Sequence, residues 1–466
     1  MKDGMAFDLV VIGGQVVMED RVERKDIGIR DGKIVEISGS VERLGAQIID
    51  ADGLTVMPGM IDAHVHFNEP GLGHWEGFRT GSAALAAGGG TMYFDMPLNG
   101  IPPTVTLEAL RQKRHCAEGA SYTDYAFWGG LMPGYLNELP LLAEAGVIGF
   151  KAFMSSPGDE HKDAFRRTDD DTLLEGMKRI AELGKVLALH AEHEPMVAAL
   201  TAQAMAAGKS GADDYTASRP AEAEVEAVET ALRFGELSGC KLHFVHISSE
   251  EAAARIMQAR RQGLDVTFET CAHYLALTDR DLERLGAVAK CAPPLRSGEE
   301  QALLWKCLER GWIDFVTSDH SPCPPELKNH SNMFRAWGGI SGVQNTMELL
   351  VDEGHLKRGI PLPQIGRLLA EAPARRFGLY PDKGSIRIGA DADLALLDLN
   401  RSYTLAAGDL LQRHKHSPYL NRTIGCKVKR TLLRGRVIYS EAAGIVGDSA
   451  GEEYSGSIFT EADHSL

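Results

Sequence analysis

The chain has 466 residues, 44% of them hydrophobic and 24% charged, a balance that supplies a large apolar core and argues against bulk disorder. Asp and Glu outnumber Lys and Arg by 65 to 49, and the resulting net charge of −16 argues against nucleic acid and anionic membrane surfaces as partners. Seven cysteines, scattered from Cys116 to Cys426 without paired spacing, argue against a disulfide framework and a cysteine-only zinc site.

The first residues, Met1 to Asp8, lack the charged-then-apolar run of a signal peptide, and no apolar stretch approaches the roughly 18 residues that cross a bilayer, so a cytoplasmic protein is expected. Residues 7–12, 15–18, 27–30, 33–37 and 47–50 read as short alternating strands, with turns at Gly13-Gly14 and Asp31-Gly32. The pattern then changes to apolar, β-rich runs followed by helical stretches. Eight such runs are counted, at 55–62, 91–96, 125–131, 147–154, 186–190, 242–247, 266–270 and 315–319. Residues 173–183 and 221–237 are two of the intervening amphipathic helices. Strand texture returns at 393–397 and 428–439, with Arg434-Gly435-Arg436 as a hairpin tip.

The expected fold is therefore α/β: a (β/α)8 barrel over 55–380, with a small β-sandwich built from both termini, 1–54 and 381–443. From Gly444 the chain is Gly, Ser and Glu rich, and 444–466 is expected to be a loose tail.

Polar residues cluster at the C-terminal ends of these strands, where a barrel of this kind places its active site. In His64-Val65-His66, alternation puts both imidazoles on one side, able to grip one metal or two adjacent ones, although alone the pair is equally well a core feature. Lys151 lies in the buried-looking run from Val147 to Met154. Burial favours its neutral amine, the form that reacts with carbon dioxide to give a carbamate, whereas taken singly it reads as an ion-paired lysine. His190 and His246 end two further strands. Asp319, at the mouth of the last, can hold a metal and take a proton from water. His243 points to the opposite face of a regular strand from His246 and is expected to be structural, as is Cys323, a small buried hydrophobe. His193, beyond its strand end, is expected to play a supporting or surface role. Four histidines, a lysine and an aspartate at the ends of strands one, four, five, six and eight together read as a two-metal site.

These residues resemble those of the cyclic amidohydrolases, the group containing dihydroorotase, dihydropyrimidinase, hydantoinase and allantoinase. The resemblance runs from Met57-Pro58-Gly59-Met60-Ile61-Asp62-Ala63-His64-Val65-His66 through Gly149-Phe150-Lys151-Ala152-Phe153-Met154 to Ser318-Asp319-His320-Ser321-Pro322. It implies a carbamylated Lys151 bridging two divalent metals, with His64, His66 and Asp319 on one and His190 and His246 on the other. Zinc is the first choice, while manganese, cobalt and iron suit the same ligands. It also implies a homotetramer.

Within the group, Phe67-Asn68-Glu69-Pro70-Gly71, Asp95-Met96-Pro97-Leu98-Asn99 and Ser318-Asp319-His320-Ser321-Pro322-Cys323 are similar to the allantoinase branch. Dihydroorotases carry an arginine where Asn68 stands, and dihydropyrimidinases a tyrosine where Ser156 stands. Substrate contacts are expected from Asn68, Asn99 and Ser156, from Ala292 in Lys290-Cys291-Ala292-Pro293-Pro294-Leu295-Arg296, and from Ser341 in Gly338-Gly339-Ile340-Ser341-Gly342. The expected reaction is attack of a metal-bridging hydroxide on a hydantoin ring carbonyl, with Asp319 moving the proton, taking allantoin to allantoate. A hydantoinase or dihydropyrimidinase acting on other cyclic ureides is the alternative, and a non-catalytic scaffold of the same fold the remote one.

Overall fold

A computed structural model describes residues 7–43, 45–158 and 161–455. The N-terminal segment forms β1 (Leu9–Val17), β2 (Val22–Arg30), β3 (Lys33–Ser38), β4 (Gln47–Asp50) and β5 (Thr55–Pro58). The expected strands at 7–12 and 15–18 are one strand, β1, whose pairing with β2 shifts register between Val11 and Gly14. Two glycines allow that bulge without ending the strand.

Barrel strands β6 (Met60–Val65), β7 (Gly90–Asp95), β8 (Asp124–Gly130), β9 (Gly149–Phe153), β10 (Val186–His190), β11 (Lys241–Phe244), β12 (Val266–Cys271) and β13 (Phe315–Thr317) follow. They lie side by side in sequence order, all parallel. Each of the eight expected runs contributes one of them. The first run needs correcting, because 55–58 belongs to the terminal sheet as β5 and the barrel begins at Met60. The two are separated by Gly59, where an added Cβ would lie 2.3 Å from Thr91 Oγ1. An apolar run that serves two sheets on either side of a glycine looks continuous in the sequence.

The barrel closes between its first and last strands through a parallel bridge from Val65 to His320. His66 N donates to His320 O at 2.8 Å, and Ser318 N donates to the buried Asp62 carboxylate at 3.2 Å. Asp62 Oδ1 also accepts from His64 N, and burial pushes the Asp62 carboxyl up to about 6. Helices cover the outside. Asp170–Glu182 is capped by Asp169, which accepts from Thr172 N at 2.8 Å. It buries Leu173, Gly176, Met177 and Ile180, the i, i+3, i+4, i+7 stripe of a helix packed on a sheet.

Beyond the barrel come β14 (Leu394–Asp398), a small pair β15 (Tyr403–Thr404) and β16 (Thr423–Ile424), then β17 (Lys427–Leu433), β18 (Arg436–Ser440) and β19 (Gly444–Ile445). The two ends of the chain meet where β14 pairs antiparallel with β5, giving one nine-stranded sheet over a shared core that includes Val11, Ile29, Val56, Leu394 and Leu432. The hairpin tip lies where expected, with Arg434 and Gly435 both at positive φ.

The expected tail from Gly444 is docked as far as Ser455. Tyr125 N donates to Glu452 O, Tyr454 N donates to Tyr125 O, and Arg114 pairs with Glu453. Backbone hydrogen bonds and ion pairs hold a segment whose low apolar content suggested otherwise. Residues 456–466 lie outside the described residues.

At the barrel's N-terminal end, Lys383 Nζ lies within 2.8–2.9 Å of Asp124, Asp391 and Asp393, and Arg434 pairs with Asp124. This network joins β8 to the terminal sheet. Lys383→Ala would leave three carboxylates short of their cation in a place largely closed to water. It is expected to destabilise the protein by about 3–5 kcal/mol, read as a lower midpoint of thermal unfolding with the active site otherwise intact.

Candidate metal centre and active site

The C-terminal ends of the barrel strands bring together all six expected ligands. His64 lies on β6, His66 just beyond it, Lys151 on β9 and His190 at the end of β10, while His246 and Asp319 follow β11 and β13. All six are buried. Asp319 Oδ1 is 3.2 Å from both His64 Nε2 and His66 Nε2, and His190 Nδ1 is 2.9 Å from His246 Nε2.

Four residues here have left-handed backbones: Asn68 and Asn99 with φ of 67° and 62°, and His246 and Asp319 with φ of 43°. Apart from glycine, it is asparagine, aspartate and histidine that are enriched in this conformation, and strain of this kind collects at functional sites. It also explains a correction. His243 was expected to face away from His246, but β11 ends at Phe244 and the turn at His246 breaks the alternation. His243 instead bonds Glu269 Oε2 at 3.1 Å and Thr267 Oγ1 at 2.9 Å beneath the site.

Two carboxylates missed by the sequence reading orient the histidines. Glu269 on β12 bonds His64 Nδ1 at 2.6 Å, leaving Nε2 toward Asp319. Glu192 bonds His190 Nε2 at 2.8 Å and accepts from Arg219 at 2.5 Å, leaving Nδ1 inward. Burial alone would raise both carboxyls, but the imidazoles beside Glu269, and Arg219 with His190 beside Glu192, hold each down to about 2. The only traces of them in the sequence are a charge inside an otherwise apolar strand and an acid two residues past a strand-end histidine. Their partners are 205 and 27 residues away for the His64 and Arg219 contacts.

Burial pushes the imidazoles of His66, His190 and His246 down, favouring the neutral, metal-ligating form. Burial would also raise the Asp319 carboxyl, but His64, His66 and His246 hold it well below the usual carboxylate range. Lys151 is fully buried, its Nζ has no hydrogen-bond partner, and burial pushes it down to about 7 against the opposing charges of Glu269 and Asp319.

Donor atoms of His64, His66 and Asp319 lie within 4.8 Å of one another, and His246 Nδ1 is buried without a partner. Convergent imidazole and carboxylate donors beside an unpartnered amine fit divalent cations. Cys271 and His273 form a second group around Asp319, also within 4.8 Å, that the sequence reading did not single out. All seven cysteines are free, and Cys323 is buried as expected.

The site opens into a cavity of about 230 Å³ lined by His64, His66, His190, His246 and Asp319 together with Asn99, Ser156 and Ala292. Asn68 and Ser341, two expected substrate contacts, are not in that lining. Asn68 Nδ2 turns to Pro322 O at 3.2 Å, and Ser341 is buried behind the wall, where its carbonyl accepts from Ser417. Each of these hydrogen bonds ties two loops together. Asn99 does line it, while bonding Ser321 Oγ at 3.3 Å.

A family model described as "Amidohydrolase family" matches residues 55–438. The chain belongs to the amidohydrolase family. Among curated members, the chain is 50% identical to an allantoinase of Solibacter usitatus, over 93% of this chain and 94% of that protein. It is 48% identical to one from Bacillus velezensis over 94% and 95%. Of solved structures, an L-hydantoinase (dihydropyrimidinase) from Arthrobacter aurescens superposes with a TM-score of 0.92 at 35% identity, covering 96% of this chain and 99% of that one. This amidohydrolase is thus a hydrolase of cyclic amides with a near-closed eight-stranded barrel, and among its described residues no helix is long and apolar enough to cross a membrane.

Glu269→Gln keeps the shape but removes the charge that orients His64, and is expected to weaken metal binding by roughly 10- to 100-fold in a competition titration. Glu269 has its carboxyl lowered from 4.5 to about 2, so its favourable contribution is complete above pH 4.5 and lost as pH falls through 2. The stability gap between wild type and this variant should therefore close over that window.

Proposed function

We propose that the protein opens the hydantoin ring of allantoin with water to give allantoate. Near full-length identity of up to 50% with curated allantoinases carries this reading. The site supports it: the cavity wall presents Ser156 where a tyrosine would suit dihydropyrimidinases, and the chain has Asn68, behind that wall, where a dihydroorotase would carry an arginine for its substrate's carboxylate. The solved neighbours named hydantoinase and dihydropyrimidinase share the fold at lower identity and keep the other cyclic ureides as the second reading.

His64, His66 and Asp319 would hold one divalent cation and His190 and His246 a second, with zinc the first choice. Lys151, carbamylated, would bridge them. The neutral Lys151 amine attacks the carbon of carbon dioxide and loses a proton, giving an N-carboxylate in place of a donor that ligates poorly when protonated. The cations would acidify water and polarise the ring carbonyl.

The chain's own residues do the rest. Asp319, ionised at neutral pH and fixed by two imidazoles, takes a proton from the attacking water and returns it to the ring nitrogen as the C–N bond breaks. The products are a carboxylate and a free ureido nitrogen. Glu269 and Glu192 keep His64 and His190 in orientation throughout. The reading includes a homotetramer working in the cytoplasm, and sedimentation equilibrium giving the mass of four chains would support that assembly.

The rates of ring opening of allantoin, hydantoin, dihydrouracil and dihydroorotate by metal-loaded protein are expected to be led by allantoin and to vanish on chelation. Hydantoin or dihydrouracil leading would transfer the assignment to the second reading. Asp319→Asn should lower kcat by roughly 10²- to 10⁴-fold, the usual worth of a positioned acid–base group.

A further inference from the structure

Among the cavity-lining residues, Arg219 has no part in the reaction described above. It stands between the helices Ala212–Ala217 and Ala221–Ser238, and its position is set from three sides. Its Nη1 donates to Glu192 at 2.5 Å, its carbonyl accepts from Arg296 at 2.6 Å, and its guanidinium lies 5.7 Å from the Tyr215 ring centroid. Tyr215 is itself fixed, donating to Cys291 O at 2.9 Å and carrying Lys290 Nζ at 4.5 Å from its centroid. Lys290 also lines the cavity, and its Nζ donates to Ala336 O.

Among the described residues the Arg219 side chain donates only to Glu192, and it remains 17% exposed at the cavity wall. A guanidinium has five N–H donors in a rigid fork, so unused donors remain on a residue that lines the same cavity as His190.

We infer that Arg219, backed by Tyr215, forms a subsite for the part of the substrate outside the scissile ring, donating hydrogen bonds to the carbonyl oxygen of a neutral ureido arm. This deepens, and rests on, the reading as an allantoin hydrolase. Geometry places the subsite one residue from the metal ligands, because Glu192 bonds both Arg219 and His190. Charge selects the class of arm. The positive charge of Arg219 is already met by the buried Glu192 carboxylate, so a neutral carbonyl adds no charge to the site, whereas a carboxylate arm would face Glu192 across one guanidinium.

The test compares wild type with Arg219→Lys, which keeps a cation against Glu192 and loses the fork. The KM for allantoin and the inhibition constant of hydantoin, the same ring without the arm, are measured on both proteins with metal content per subunit. The expected result is a rise of roughly tenfold to a hundredfold in the ratio of the allantoin KM to the hydantoin inhibition constant, with metal content unchanged. An unmoved ratio, or both constants rising together with loss of metal, would overturn the inference and leave Arg219 as a support for Glu192 and His190 alone. Absence of allantoin turnover by the wild type would instead overturn the function reading itself, and the inference with it.

Discussion

Asp319 keeps its negative charge in a place from which water has been largely removed, and much of the site's architecture follows from making that tolerable. An isolated carboxylate in such a setting would take up a proton. Two imidazole nitrogens at 3.2 Å hold it ionised, and its left-handed backbone turns it toward them as soon as β13 ends. His64 is in turn held by Glu269, and Glu269 by His243, so a line of buried polar contacts runs from the cavity floor down into the barrel. Removing any member leaves a desolvated partner unsatisfied, which is the physical reason these residues act together.

The same strands that carry the site close the barrel. His320 follows Asp319 directly and bridges to Val65, between His64 and His66, while the Asp62 carboxylate accepts from Ser318. Closure and the candidate metal group of His64, His66 and Asp319 are therefore one structural event: strand one cannot shift against strand eight without separating the imidazoles from Asp319. At the opposite end of the barrel, Lys383 and its three aspartates bind the terminal sheet to β8. Stability is concentrated at one face and chemistry at the other, the division that lets a barrel of this kind vary its loops without losing its core.

Much of this was legible in the sequence because strand-end polar residues stand out against apolar runs. His64, His66, Lys151, His190, His246 and Asp319 were all singled out that way, and they do come together at one end of the barrel, as each of the eight expected runs supplies a strand. What escaped depended on long-range partners or on local backbone geometry. Glu269 and Glu192 acquire meaning only from histidines and an arginine brought to them by the fold. The face of His243 was misjudged because alternation stops where β11 stops, and Thr55–Pro58 was assigned to the barrel because a glycine between two buried strands leaves no mark in hydrophobicity. Asn68 and Ser341, expected at the substrate, serve the loops behind the cavity instead. Composition misled at the C-terminus, where main-chain hydrogen bonds as far as Tyr454 hold a segment of low apolar content.

The two-metal reading turns on Lys151, whose buried Nζ has no hydrogen-bond partner and which we propose becomes the bridge between two cations. A crystal structure of the protein prepared with zinc and bicarbonate, with anomalous scattering locating the metal, tests it most directly. Two zinc positions are expected, one among His64, His66 and Asp319 and one beside His190 and His246, joined by continuous density for a carboxylate on Lys151 Nζ. A single zinc position, or two with an unmodified lysine between them, would contradict it.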